Sequence, residues 1–179
     1  MTAFRRSGSF TAFTWQGRLP DPQDEAFTAA LAKRRFRTIE NAASEEVSFG
    51  WVTPADPTGD SFPLEDLEID PGTWLRFRID KKVLPKKWLQ HHRDVAEKAR
   101  GRRLSVRERK ELRDDLIEKL LPRQLPTTAH IDALLFADRQ LVLVFASSKG
   151  AREIFEKLFF ESFALPLDRR DPYSLAVYC

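Results

Sequence analysis

Cysteine occurs once, at Cys179, the last residue of the sequence. An internal disulfide is therefore excluded, and with it the small disulfide-stapled folds. A reducing, cytosolic compartment is the expected setting. Histidine is also scarce, with three in the chain. His91 and His92 are adjacent, so on a helix they point about 100° apart, and His130 is distant in sequence. No metal centre and no cofactor is expected from such ligands. The seven glycines include no G-x-x-x-x-G-K-[ST] loop and no G-x-G-x-x-G turn, so neither phosphate cradle is available. No G-x-S-x-G elbow occurs, and Cys179 is a poor nucleophile candidate. No apolar run approaches the length of a bilayer span, so no membrane partner is expected. The N-terminal MTAFRRSGSFTAF lacks an apolar h-region and a cleavage pattern, so no secretory signal is expected.

Charge is abundant instead, at 32% of residues. It is also segregated. Residues 1–80 hold 9 basic and 13 acidic side chains, residues 81–123 hold 15 and 7, and residues 124–179 hold 6 and 7. Half of all Lys and Arg therefore falls in one 43-residue segment. Its densest part, KARGRRLSVRERKEL at 98–112, has seven cations and two acids in fifteen residues. Such segregation is the footprint of an anion-binding surface, or else of long helices with solvated charged faces.

The pattern of residues predicts alternating strands and helices. SFTAFTW (9–15) reads as a strand, and a helix starts near Pro22 with Phe27, Ala30, Leu31 and Arg34 at helical spacing. VSFGWV (47–52) is a short apolar strand, TPADPTGDSFP a loop, and residues 61–68 a short strand or turn. TWLRFRID (73–80) alternates: Leu75, Phe77 and Ile79 face a core, while Trp74, Arg76, Arg78 and Asp80 face outward. Pro85 opens a helix whose stripe is Trp88, His92, Val95 and Ala99, with Trp88 read as helix core. Gly101 interrupts it, and Ser105 with Glu108 forms an S-x-x-E capping box for a second helix from about 106. Leu112, Leu116, Ile117, Leu120 and Leu121 make that helix's apolar face, Pro122 ends it, and Arg107, Arg109, Lys110 and Arg113 lie mostly off it. Residues 127–136 and 140–147 read as strands joined at 137–139, and QLVLVFAS suits the centre of a sheet. A helix follows from Ser148, and the tail from Ala164 holds an apolar stretch suited to an edge strand. The result is one α+β domain over 1–179, a mainly antiparallel sheet with packed helices and a charged helical hairpin inserted at about 85–122.

The chemistry available is mostly cationic. A nuclease needs carboxylates for a divalent metal; Asp132, Asp138, Glu153 and Glu156 are candidates, but their spacing matches no nuclease signature. Asp114 and Asp115 are more simply helix partners of neighbouring Lys and Arg. No catalytic residue is assigned. The positive feature is the set Lys81, Lys82, Lys86, Lys87, Arg100, Arg102, Arg103, Arg107, Arg109, Lys110 and Arg113, suited to phosphates that position a duplex without reading its sequence. Trp74, Arg76 and Arg78 form a possible second nucleic-acid face or a solvated strand face.

Several short motifs occur in a shared order: GWVTP (50–54), KVLP (82–85), a charged hairpin, LLPR (120–123), HID (130–132), VFASSKGA (144–151) and ALPL (164–167). This order resembles the recombination-associated protein RdgC family over nearly the whole chain. The resemblance implies a non-enzymatic protein that binds double-stranded DNA with little sequence preference. It further implies a ring-shaped homodimer with a basic lining that restrains a RecA-type recombinase, and so a nucleoid-associated location. Familiar members continue into a C-terminal part without a counterpart here, and their hairpin is about one helical turn longer. After LLPR they carry an aromatic residue at a dimer contact; Leu125 stands at the matching place and keeps the apolar character. Two alternatives remain: a protein-interaction module whose basic hairpin docks on an acidic partner, and a metal-dependent nuclease using Asp132 and Glu153.

Overall fold

A computed structural model describes residues 9–42, 44–58 and 61–170. The strands are β1 (Thr11–Trp15), β2 (Val47–Val52), β3 (Glu68–Ile69), β4 (Gly72–Lys81), β5 (Thr127–Phe136), β6 (Leu141–Val144) and β7 (Leu167–Arg170). The helices are α1 (Glu25–Lys33), α2 (Leu64–Leu67), α3 (Lys86–Arg100), α4 (Val106–Leu120) and α5 (Lys149–Phe163). The strands form one sheet in the order β2-β4-β5-β6-β1-β7, with β3 paired to β4. β6 is antiparallel to both neighbours, pairing Val144 with Ala133 and with Thr11. Its near-continuous apolar run thus sits inside the sheet, as its lack of a polar face requires. β7 pairs antiparallel with β1 at an edge. The remainder of the tail, including the apolar stretch before Cys179, lies outside the described residues. The fold is α+β, as the residue pattern predicts.

By its internal packing the chain divides into two compact units. The first comprises the described residues up to Phe36, Phe49–Arg78 and those from His130 onward; the second comprises Arg37–Ser48 and Ile79–Ala129. The first unit has an aromatic core. α5 is apolar on one face, burying Ala151, Phe155, Leu158 and Phe159. Phe155 meets Phe13 of β1, Trp51 of β2 and Phe77 of β4 at ring separations of 5.7–6.3 Å. Trp15 meets Phe159 at 5.6 Å, and Phe27 of α1 stacks on Phe163 at 5.1 Å. Trp51 also donates its indole N–H to Ser162 Oγ at 2.8 Å, which satisfies the one polar atom that its burial would strand.

The second unit holds the helical hairpin and has a thinner core of Ile39, Leu84, Leu104, Leu116 and Leu121. α3 buries no residue at all, and α4 buries only Leu116. Two expectations change here. Asp80, placed on an outward face by alternation, is fully buried at 0% exposure. Lys82 is 2% exposed, and its Nζ donates to the Ala42 carbonyl at 2.8 Å. Residues 79, 80 and 82, around the end of β4, are therefore all enclosed, and alternation there no longer tells inside from outside. Residues 61–68 resolve into the one-turn helix α2, entered at Pro63, followed by the short β3. Pro122 does not stop the chain turning; it sits within a 3-10 turn, Leu121–Arg123, that extends α4.

Candidate nucleic-acid interface

The hairpin is built from strong local signals. Gly101 closes α3 with φ +63°, the left-handed conformation that glycine adopts without a Cβ penalty. Ser105 caps α4: its Oγ accepts from the Glu108 N–H at 3.3 Å, and Glu108 Oε2 accepts from the Ser105 N–H at 2.8 Å. Between them the turn is cross-linked by charge. Arg102 donates to both Glu108 carboxylate oxygens at 3.0 and 2.8 Å and to the Arg103 carbonyl at 3.1 Å. Glu97 accepts from the buried Leu104 N–H at 3.0 Å, and Arg109 Nε donates to the Leu104 carbonyl at 2.9 Å. The Arg102 hydrogen bond, aided by the Ser105 N–H and hydroxyl, holds the Glu108 carboxyl well below the usual carboxylate range. The same Glu108 bond raises the Arg102 guanidinium.

Against this frame the expected phosphate contacts separate into three groups. Lys82 is enclosed and already bonded to a carbonyl, so it is removed from the DNA-facing set. Arg100, Arg102, Arg107 and Arg109 lie on the surface but are engaged: Arg100 with Glu108 at 3.7 Å, Arg107 with Glu111 at 2.8 Å, and the others as above. The Arg107 pair is exposed on both sides and so exchanges readily for another anion. Lys81, Lys86, Lys87, Arg103, Lys110 and Arg113 are exposed and, among the described residues, in no ion pair.

The apolar face of α3 is also not where its aromatic spacing puts it. Trp88 is 56% exposed rather than core, and Val95 is exposed with it. Trp88 stacks on His92 at 5.6 Å and meets His91 edge-on at 6.1 Å, forming a surface aromatic cluster. The seam toward α4 is instead formed by Lys86, Leu89, Gln90 and Arg93, a second i, i+3, i+4, i+7 series. Arg109 and Arg113 lie on the same seam beside Leu112 and Leu116, not off the leucine stripe. Arg93 was outside the expected set. Its spacing from Lys86 and Gln90 is the signal that finds it.

The Trp74, Arg76 and Arg78 face is a structural network. Arg76 Nε donates to Asp132 Oδ1 at 2.6 Å, Nη2 to Oδ2 at 3.2 Å, and Nη1 to the Pro54 carbonyl at 2.9 Å. Trp74 gives its indole N–H to the same Asp132 Oδ1 at 2.9 Å, and its ring lies 5.0 Å from the Arg76 guanidinium carbon. Arg78 stands over the Phe36 ring at 4.4 Å. Asp132, the main carboxylate of the nuclease alternative, thus has both oxygens engaged. Glu153 is an exposed partner of Lys149 on α5. Among the described residues no group of three potential metal ligands converges, and no helix is long and apolar enough to cross a membrane. Leu125, between the 3-10 turn and β5, is 76% exposed.

The family profile described as "Putative exonuclease, RdgC" matches residues 11–170 of this chain. The recombination-associated protein RdgC of Xanthomonas oryzae pv. oryzae (strain PXO99A) is 37% identical over 116 residues, 61% of this chain and 37% of that protein. The protein of the same name from Tolumonas auensis (strain DSM 9187 / NBRC 110442 / TA 4) is 31% identical over 121 residues, 64% of this chain and 39% of the relative. That of Stenotrophomonas maltophilia (strain R551-3) is 34% identical over 86 residues, 46% of this chain and 29% of the relative. The chain therefore covers 29–39% of the length of these relatives.

Proposed function

Because this chain belongs to the RdgC family, we propose that it acts in DNA recombination by binding duplex DNA without sequence preference, as a homodimer whose α3–α4 hairpins contact phosphates. In this reading the bound protein restrains a RecA-type recombinase on the duplex. The observation that carries it is the hairpin itself. A helical hairpin that buries almost nothing carries five cations that, among the described residues, are in no ion pair (Lys86, Lys87, Arg103, Lys110 and Arg113), on a segment with 15 basic and 7 acidic residues. A helix that exists to complete a core buries an apolar stripe; this one presents charge. The relatives' names supply the recombination setting.

The test is binding of a labelled random-sequence duplex across a salt series. Wild type and a Lys87→Ala/Arg103→Ala/Lys110→Ala variant are compared, since these three cations have no structural partner. Affinity should fall steeply with salt, and each lost phosphate contact should flatten the log–log slope by about 0.9. Binding that ignores salt, or no binding at low salt, would sink this reading. In that event the exposed Trp88, Val95 and Val106 point to a protein partner for the hairpin.

A further inference from the structure

Two helices that pack as a hairpin ordinarily meet through apolar side chains. The α3–α4 seam instead contains a groove of about 250 Å³ whose lining includes four cations, Lys86, Arg93, Arg109 and Arg113, and no carboxylate. Leu89, Leu112 and Leu116 supply its apolar floor. Four like charges facing one cleft repel one another, and a low-dielectric floor strengthens that repulsion. An anion held in the cleft would offset it.

Among the described residues, none of the four is in an ion pair with a neighbouring acid. Asp94 accepts from the Gln90 side chain at 2.6 Å, Glu97 caps the Leu104 N–H, and Glu108 is held by Arg102. Arg93 shows the deficit directly: its Nε is shielded from solvent and has no hydrogen-bond partner. A buried charged donor left unpaired is costly, and native structures rarely tolerate one without an unseen acceptor. Arg109 is steadied by the Leu104 carbonyl at 2.9 Å, so one guanidinium stays fixed at the groove. The volume is several times the ~30 Å³ share of one water, room enough for a tetrahedral oxyanion. Guanidinium forks are the side chains that match phosphate oxygens in paired hydrogen bonds.

We propose that the α3–α4 groove is a binding site for a phosphate group, with Arg93 and Arg113 as the fork and Lys86 and Arg109 as flanking charges. The inference rests on the duplex-binding reading for its source: the phosphate is one of the DNA backbone. The site makes the hairpin's order depend on its ligand. With one buried leucine between α3 and α4, a bridging anion adds a tie along the helices to those that the Arg100–Glu108 pair and the Glu97–Leu104 bond make near the turn.

The test uses the full chain with two probes, a random-sequence duplex and sodium pyrophosphate, the latter against sodium chloride at equal ionic strength. Amide hydrogen exchange of α3 and α4 and duplex affinity are the readouts. Pyrophosphate should slow exchange in both helices of wild type, and Arg93→Gln/Arg113→Gln should abolish that protection. The same variant should lose about tenfold or more in duplex affinity, as expected for a charge-assisted contact. An Arg103→Ala variant, altered outside the groove, should keep the pyrophosphate response. If pyrophosphate protects no better than chloride and the double variant binds duplex like wild type, the groove is not a phosphate site, while the duplex reading stands. If wild type fails to bind duplex at low salt but pyrophosphate still protects, the duplex reading fails and the phosphate site stands. Should the double variant lose its helical circular dichroism, Arg93→Lys keeps the charge and removes the fork. Its duplex affinity should drop several-fold, and equality with wild type would overturn the proposal.

Discussion

Glu108 shows how much one carboxylate organises in the hairpin. It caps α4 through Ser105, neutralises Arg102 and stands 3.7 Å from Arg100. Its carboxyl is depressed first by the Arg102 hydrogen bond and then by those of Ser105. A depressed carboxylate contributes stability that is fully present above its unfolded pKa, near 4.3, and that disappears as pH falls through its lower folded pKa. The first turn of α4 should therefore stay ordered through the ordinary carboxylate range and fray only below it. Replacing Arg102→Ala removes the largest cause and leaves the Ser105 bonds. The Glu108 titration should move upward, toward the usual range, and the fraying midpoint should rise with it. Side-chain carboxyl NMR across an acid series reads both; an unshifted titration in the variant would show that Arg102 is not the cause. Lys82 carries the complementary lesson. A lysine just past the end of a basic-looking strand reads as a surface cation, yet its ammonium is enclosed against the Ala42 carbonyl. Charge alone does not distinguish these roles, because the enclosing segment comes from some forty residues earlier in the chain.

Elements with a strong internal period were legible, and those without one were not. β4 alternates, β6 is continuously apolar, α5 repeats at helical spacing, and the Ser105 box marks the start of α4 to the residue. α3 misleads because it buries nothing. With no core to select its apolar face, its aromatic residues describe a surface cluster, and the seam runs along Lys86, Leu89 and Arg93 instead. Close backbone approach is equally invisible in sequence. Gly50 in β2 lies beside the end of α1's connection, where the Phe36 N–H donates to the Trp51 carbonyl at 2.8 Å and the Trp51 N–H to Arg34 at 2.9 Å. A Cβ on Gly50 would collide with the Phe36 backbone nitrogen and stand 2.6 Å from the Arg35 carbonyl carbon. Both are main-chain atoms that cannot rotate away. Gly50→Ala should therefore force this crossing apart and unseat Trp51 from the aromatic core. Such a loss is worth about 2–4 kcal/mol, a fall in Tm of roughly 5–15 °C for a chain of this size. Scanning calorimetry checks it; a Tm within about 2 °C of wild type would mean that the two segments separate at little cost.

At the scale of the whole molecule, the segregation of charge was legible from counting, since net charge needs no geometry. Self-association, an expectation that rests on the family resemblance, has no such count behind it, because an exposed apolar residue is common on any protein surface. Leu125 is the test case. It is 76% exposed, follows a 3-10 turn and precedes β5, where the first four strand residues are also exposed. If it is the centre of a dimer contact, a carboxylate there must be buried unpaired on both sides of a two-fold interface. Leu125→Glu should then shift sedimentation from dimer to monomer at micromolar concentration, with the fold unchanged by circular dichroism. The DNA readout should follow. Each protomer brings one hairpin, so the number of phosphates neutralised per complex halves, and the log–log salt slope halves with it. A dimer that survives the substitution would move the contact elsewhere, and a wild type that sediments as a monomer would remove the homodimer. A monomeric variant that keeps the full slope would place all of the phosphate contacts of one complex on a single hairpin, so that the second copy adds reach and not affinity.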